Sequence, residues 1–68
     1  MKLSARNQIE GTIKNVKPGA TTTHVSLEVS PTVTITASIT NEAAEELGLR
    51  PGMKATAVIK ASDVMIGI

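Results

Sequence analysis

The sequence predicts an all-β fold, a small five-stranded barrel interrupted by one short helix. Three observations carry that expectation. Apolar and polar residues alternate with period two through most of the 68 residues, the mark of half-buried strands. The alternating stretches are rich in β-branched residues, and Gly and Pro fall between them. The single helical pattern, Thr40 to Leu47, is too short to stand alone in water and must rest on a sheet.

Asn7 to Val16 reads as the first strand, with Ile9 and Ile13 sharing a face and Gly11 between them. A glycine inside a strand marks a bulge or a sharp bend, and such bends let small barrels close. Lys17-Pro18-Gly19-Ala20 turns the chain. Thr22 to Val29 follows, with Val25, Leu27 and Val29 on one face and His24, Ser26 and Glu28 on the other. After a turn at Ser30-Pro31, Thr32 to Ile39 alternates again: Val33, Ile35, Ala37 and Ile39 against Thr32, Thr34, Thr36 and Ser38.

Thr40 then serves as a helix N-cap, and Glu42 favours the positive helix end. Ala43, Ala44 and Leu47 form an apolar side that is expected to plug the mouth of the sheet. Gly48 is the expected left-handed terminator, with Leu49 packing back. Arg50-Pro51-Gly52 turns into a fourth strand, Met53 to Lys60, with Met53, Ala55, Ala57 and Ile59 on one face. Ala61-Ser62-Asp63 breaks it, and Val64 to Ile68 is expected as a short fifth strand. The order β-β-β-α-β-β is that of an OB-like Greek-key barrel with its helix between strands 3 and 4.

Composition narrows the function. Residues 1–68 form one domain, because so short a chain cannot build two cores. Hydrophobic residues make up 41%, with no aromatic and no Cys. Only 20 are large: six Val, seven Ile, four Leu and three Met. That is a thin core, and neither a disulfide nor a Cys/His metal site can staple it, so oligomerisation is the expected remedy. No run approaches the ~18 apolar residues of a membrane span, and Met1 to Asn7 lacks the apolar stretch of a signal peptide. With no Cys, a cytoplasmic protein is expected. Seven basic residues against six acidic ones leave a net charge of +1. Without a basic footprint or aromatic stacking platforms, neither nucleic acid nor membrane is an expected partner.

Catalytic groups are scarce. The one histidine, His24, lies on a strand with no carboxylate nearby in sequence and reads as a polar-face residue. Glu45-Glu46 reads as a solvated helix face. No cluster has the spacing of metal ligands, and neither an enzyme nor a bound cofactor is expected. Two segments offer more. Ser4-Ala5-Arg6-Asn7 groups a hydroxyl, a guanidinium and an amide before the first strand. Lys60-Ala61-Ser62-Asp63 groups an ammonium, a hydroxyl and free turn amides after the fourth. Such donors suit a small oxyanion.

The opening Ser4-Ala5-Arg6-Asn7-Gln8, the middle Ile39-Thr40 leading to Leu47-Gly48-Leu49 and Gly52, and the closing Ala57-Val58-Ile59-Lys60-Ala61-Ser62-Asp63-Val64 resemble the molbindins. These are small molybdate-binding proteins built from one Mop domain, and the resemblance runs from Met1 to Ile68. It implies an OB-like fold and a homohexamer assembled as a trimer of dimers. It also implies molybdate or tungstate as ligand and a cytoplasmic storage role. The implied main site, shared between chains, comprises Ser4, Arg6, Asn7, Lys60, Ala61 and Ser62, with Thr40 added from a related domain. A second oxyanion site is implied at Gly19, Ala20, Thr21 and Thr22. Similar domains occur in tandem in molybdate-responsive regulators and transporter ATPases. This sequence carries one copy, with no helix-turn-helix and no ATP-binding loop. The competing readings are an OB-type nucleic-acid module and a structural assembly unit without ligand.

Overall fold

The computed structural model describes all 68 residues. Four strands form one antiparallel sheet: β1 (Asn7–Pro18), β2 (Thr22–Ser30), β3 (Val33–Thr40) and β4 (Lys54–Ile59). Their order is β3-β2-β1-β4. A helix, α1 (Asn41–Leu47), joins β3 to β4, and a single turn of 3-10 helix at Ala61–Asp63 follows β4. The expected fifth strand is absent. Residues 64–68 have no regular structure, and each is exposed to solvent. The physical reason is that no strand of the same chain lies beside them, and an unpaired strand has no ladder to hold it.

The sheet curls around a small aliphatic core. Ile13, Val25 and Leu27 are buried at its centre, with Val16, Ile35, Ala37, Ile39, Leu49, Met53, Ala55 and Ala57 packed against them. Each strand contributes alternate residues, as the period-two pattern requires. Two bulges shape the curl. One inserts Lys14 between the Ile13–Leu27 and Asn15–Ser26 pairs, so that both Ile13 and Val16 face inward despite their odd spacing. The other adds Val29 between the Glu28–Thr34 and Ser30–Val33 pairs.

Gly11 is not itself the bulge. It lies where β1 passes closest to β2: a Cβ built there would sit 2.5 Å from the Glu28 carbonyl oxygen and 2.9 Å from Leu27 Cγ. Only glycine allows that approach.

Helix α1 forms as its ends dictate. The Thr40 hydroxyl accepts from the Ala43 amide at 3.1 Å, and Gly48 takes the left-handed conformation at φ 62°. The amides of Gly48 and Leu49 close the end by donating to the Glu45 and Ala44 carbonyls. The plug is shallow. Only Ala44 is buried on the helix, Leu47 stays 64% exposed, and Leu49 beyond the helix supplies the contact with the core. No helix is long and apolar enough to cross a membrane.

Candidate functional site

Two corners of the curled sheet hold the sequence-predicted residues. At the first, β1 begins where β4 ends. Asn7 pairs with Ile59 in the antiparallel ladder, and its side-chain amide donates to the Ile59 carbonyl at 3.2 Å. Ser4 and Arg6 immediately precede that pair, and Lys60, Ala61 and Ser62 immediately follow it. The two donor-rich segments, far apart in sequence, therefore meet within one chain.

Local structure holds this corner in place. Ala5 is buried and anchors the N-terminal segment while its neighbours Ser4 and Arg6 remain exposed. The Gln8 side chain donates to the Ala5 carbonyl at 3.3 Å, adding a second tether. Across from it, the 3-10 turn is held by the Asp63 amide on the Lys60 carbonyl and the Val64 amide on the Ala61 carbonyl. The amides of Ala61 and Ser62 come before these bonds and have no backbone acceptor in the chain. The corner thus offers a guanidinium, an ammonium, two hydroxyls, a side-chain amide and two backbone amides. It offers donors rather than acceptors, which is what an oxygen-shelled anion requires.

Thr40 is not at this corner. It pairs with Thr22 at the opposite end of the sheet, and its hydroxyl is engaged as the helix cap. In one chain it belongs with Gly19, Ala20, Thr21 and Thr22, the residues of the second predicted site.

That second corner is organised by a residue the sequence reading did not single out. The Asn41 side-chain amide donates to the Gly19 carbonyl at 3.1 Å and the Ala20 carbonyl at 3.4 Å. Its carbonyl oxygen accepts from the Thr23 hydroxyl at 2.7 Å, and its backbone amide donates to Thr21. Thr23 is buried to 1% exposure, so this partner satisfies a hydroxyl that would otherwise be stranded. The signal available in the sequence was an Asn directly after a capping Thr. Beside this corner an open groove of about 620 Å³ runs between α1 and β1, lined by Val16, Asn41, Glu45, Leu49, Arg50 and Met53 among others. No group of three or more His, Cys, Asp or Glu is placed to hold a metal ion. His24 is exposed on β2 between Lys17 and Ser38 in the ladders.

A small OB-like β-domain with one concentrated set of cationic and hydroxyl donors at a sheet corner defines a binding module. The comparisons with known proteins say which kind. The model of the TOBE domain matches residues 3–66. Molybdenum-pterin-binding protein 1 of Clostridium pasteurianum is 46% identical over 66 residues, covering 97% of each chain. Among solved structures, the molybdate-binding protein of Sporomusa ovata superposes with a TM-score of 0.92 at 31% identity, covering 100% of both chains. The cytoplasmic molybdate-binding protein ModG, with molybdate bound, gives a TM-score of 0.93 at 47% identity. It covers 100% of this chain and 48% of ModG. The chain belongs to the TOBE-domain family and, within it, to the single-domain molybdenum-pterin-binding proteins, the molbindins.

Proposed function

We propose that this protein binds molybdate, and tungstate with it, in the cytoplasm for molybdenum storage and homeostasis. The observation that carries the reading is the corner at which Asn7 pairs with Ile59. It brings Ser4, Arg6 and Asn7 beside Lys60, Ala61 and Ser62. Arg6 supplies a bidentate charge and Lys60 a compact one. The Ser4 and Ser62 hydroxyls and the Ala61 and Ser62 amides supply directed bonds. The role is binding rather than catalysis.

The working form is a homohexamer, a trimer of dimers, in which the main site is shared between chains. Thr40 joins it from a neighbouring subunit, since within its own chain it lies at the other end of the sheet. Gly19 to Thr22 form a second oxyanion site, shaped by the Asn41 clamp.

Thermal melts in parallel molybdate, tungstate, sulfate and phosphate test the function. Ligand that binds only the folded form stabilises it by about 2.7 kcal/mol at 100 times its Kd. Molybdate and tungstate should raise Tm, and sulfate should do so less, because a smaller tetrahedron leaves donors poorly paired. Equal shifts in all four would reduce the site to a generic anion patch.

A further inference from the structure

The donor-rich corner has one fixed half and one loose half. Lys60, Ala61 and Ser62 continue directly from β4. The 3-10 turn locks them with the Asp63 amide on the Lys60 carbonyl at 2.9 Å and the Val64 amide on the Ala61 carbonyl at 3.2 Å. Ser4 and Arg6 have no such frame. β1 starts only at Asn7, and no main-chain hydrogen bond of the chain involves Met1 to Arg6. The chain's one ion pair, Lys14 with Glu28, lies elsewhere.

Two contacts hold the loose half. Ala5 is buried to 7% exposure, while Met1 to Ser4 before it and Arg6 after it are exposed. A single methyl group makes a small anchor. The other contact is the Gln8 side-chain amide, which donates to the Ala5 carbonyl at 3.3 Å. The base of this tether is rigid, because Gln8 pairs with Val58 inside the β1–β4 ladder. Its far end closes on the residue that separates Ser4 from Arg6. Gln8 itself is exposed, so packing does not require an amide at that position.

We propose that Gln8 is a positioning residue for the anion: its bond to Ala5 holds Ser4 and Arg6 against the Lys60–Ser62 half before the anion arrives. A donor on a free segment must be ordered when it binds, and that lost entropy is subtracted from the affinity. The tether moves the loss into folding. It acts on Ser4 and Arg6 but not on Lys60, Ala61 or Ser62, which the turn already holds. The inference rests on the molybdate reading of this corner and adds the residue that tunes it.

Gln8→Met keeps the length of the side chain and loses the donor. In the assembled protein it should weaken molybdate binding by about 3- to 10-fold, the range of one neutral hydrogen bond. A double-mutant cycle separates positioning from general destabilisation. Arg6→Ala should cost about threefold less affinity in the Gln8→Met background than in the wild type, whereas Lys60→Ala should cost the same in both. Gln8→Met binding as tight as wild type, or Arg6 and Lys60 coupled equally to Gln8, overturns the inference and leaves molybdate binding standing. A wild type that takes up no molybdate overturns the reading and the inference together. Amide nitrogen relaxation without oxyanion supplies an independent measurement. In Gln8→Met the order parameters of the Ala5 and Arg6 amides should fall below ~0.6, the flexible range, while those of Ala61 and Ser62 stay unchanged. Ala5 and Arg6 amides as ordered as in the wild type would also overturn it.

Discussion

The Asn7 side-chain amide donates to the Ile59 carbonyl at 3.2 Å, between residues 52 positions apart in sequence. It holds the first residue of β1 against the last residue of β4 and so fixes the spacing of the two donor-rich segments. Asn7→Ala removes a bond that contributes about 1 kcal/mol to stability. It should lower the denaturation midpoint by a corresponding amount. It should also weaken molybdate binding more than its own lost donor explains, because the corner loosens. Calorimetric titration beside chemical denaturation checks both effects. Unchanged affinity would mean that this bond does not set the site's geometry.

A second prediction concerns Asn41. Asn41→Ala leaves the buried Thr23 hydroxyl without its partner, and a stranded buried group costs roughly 1–3 kcal/mol. Asn41→Asp can still accept from Thr23 but loses the donors to Gly19 and Ala20. It should therefore cost less in stability while still releasing the β1–β2 turn. Urea denaturation of the three proteins gives the ranking. An Asp variant as unstable as the Ala variant would contradict it.

Gly11 gives a purely structural prediction. A methyl group there meets the Glu28 backbone carbonyl, which cannot rotate away. Forced overpacking of this kind costs roughly 1–3 kcal/mol. Gly11→Ala should lower Tm while leaving the order of preference among anions unchanged, as the same parallel melts would show. An unaltered Tm would mean that β1 and β2 separate at little cost.

The sharing of the main site between chains predicts complementation. Arg6→Ala and Thr40→Val proteins, unfolded and refolded together, should regain part of the tight binding capacity that each has lost, since some mixed boundaries carry both defects and others none. If intact co-refolded assemblies recover no tight sites, Thr40 does not complete the corner of a neighbouring chain.

Much of this was legible in the sequence because local rules governed it. Alternation located β1 to β4, and Thr40 and Gly48 marked the ends of α1 because capping depends on adjacent residues alone. Ser4 to Asn7 and Lys60 to Ser62 stood out as donor-rich segments by residue type. Their adjacency within one chain was not legible, because it depends on β1–β4 register over a long sequence separation. The Lys14 bulge was hidden for a similar reason: it follows from which β2 residues oppose β1. Thr40 looked like a site residue and a cap at once, and only the sheet order separated it from Asn7. Val64 to Ile68 carried a strand pattern, but a strand also needs a neighbour to pair with, and the pattern does not reveal that none of this chain's strands lies beside it.

The central claim is that the corner of Ser4, Arg6, Asn7, Lys60, Ala61 and Ser62 holds molybdate, and direct titration of the assembled protein tests it. Charge-assisted hydrogen bonds contribute roughly 1.5–3 kcal/mol each, so Arg6→Ala and Lys60→Ala should each weaken molybdate binding by about 10- to 150-fold. Both side chains are exposed, and the far-UV spectra should be unchanged. Calorimetry on the wild type and the two variants at fixed ionic strength gives the answer. A saturable wild-type isotherm lost to this degree in both variants is the predicted result. A wild type that takes up no molybdate, or variants that bind as it does, would contradict the account.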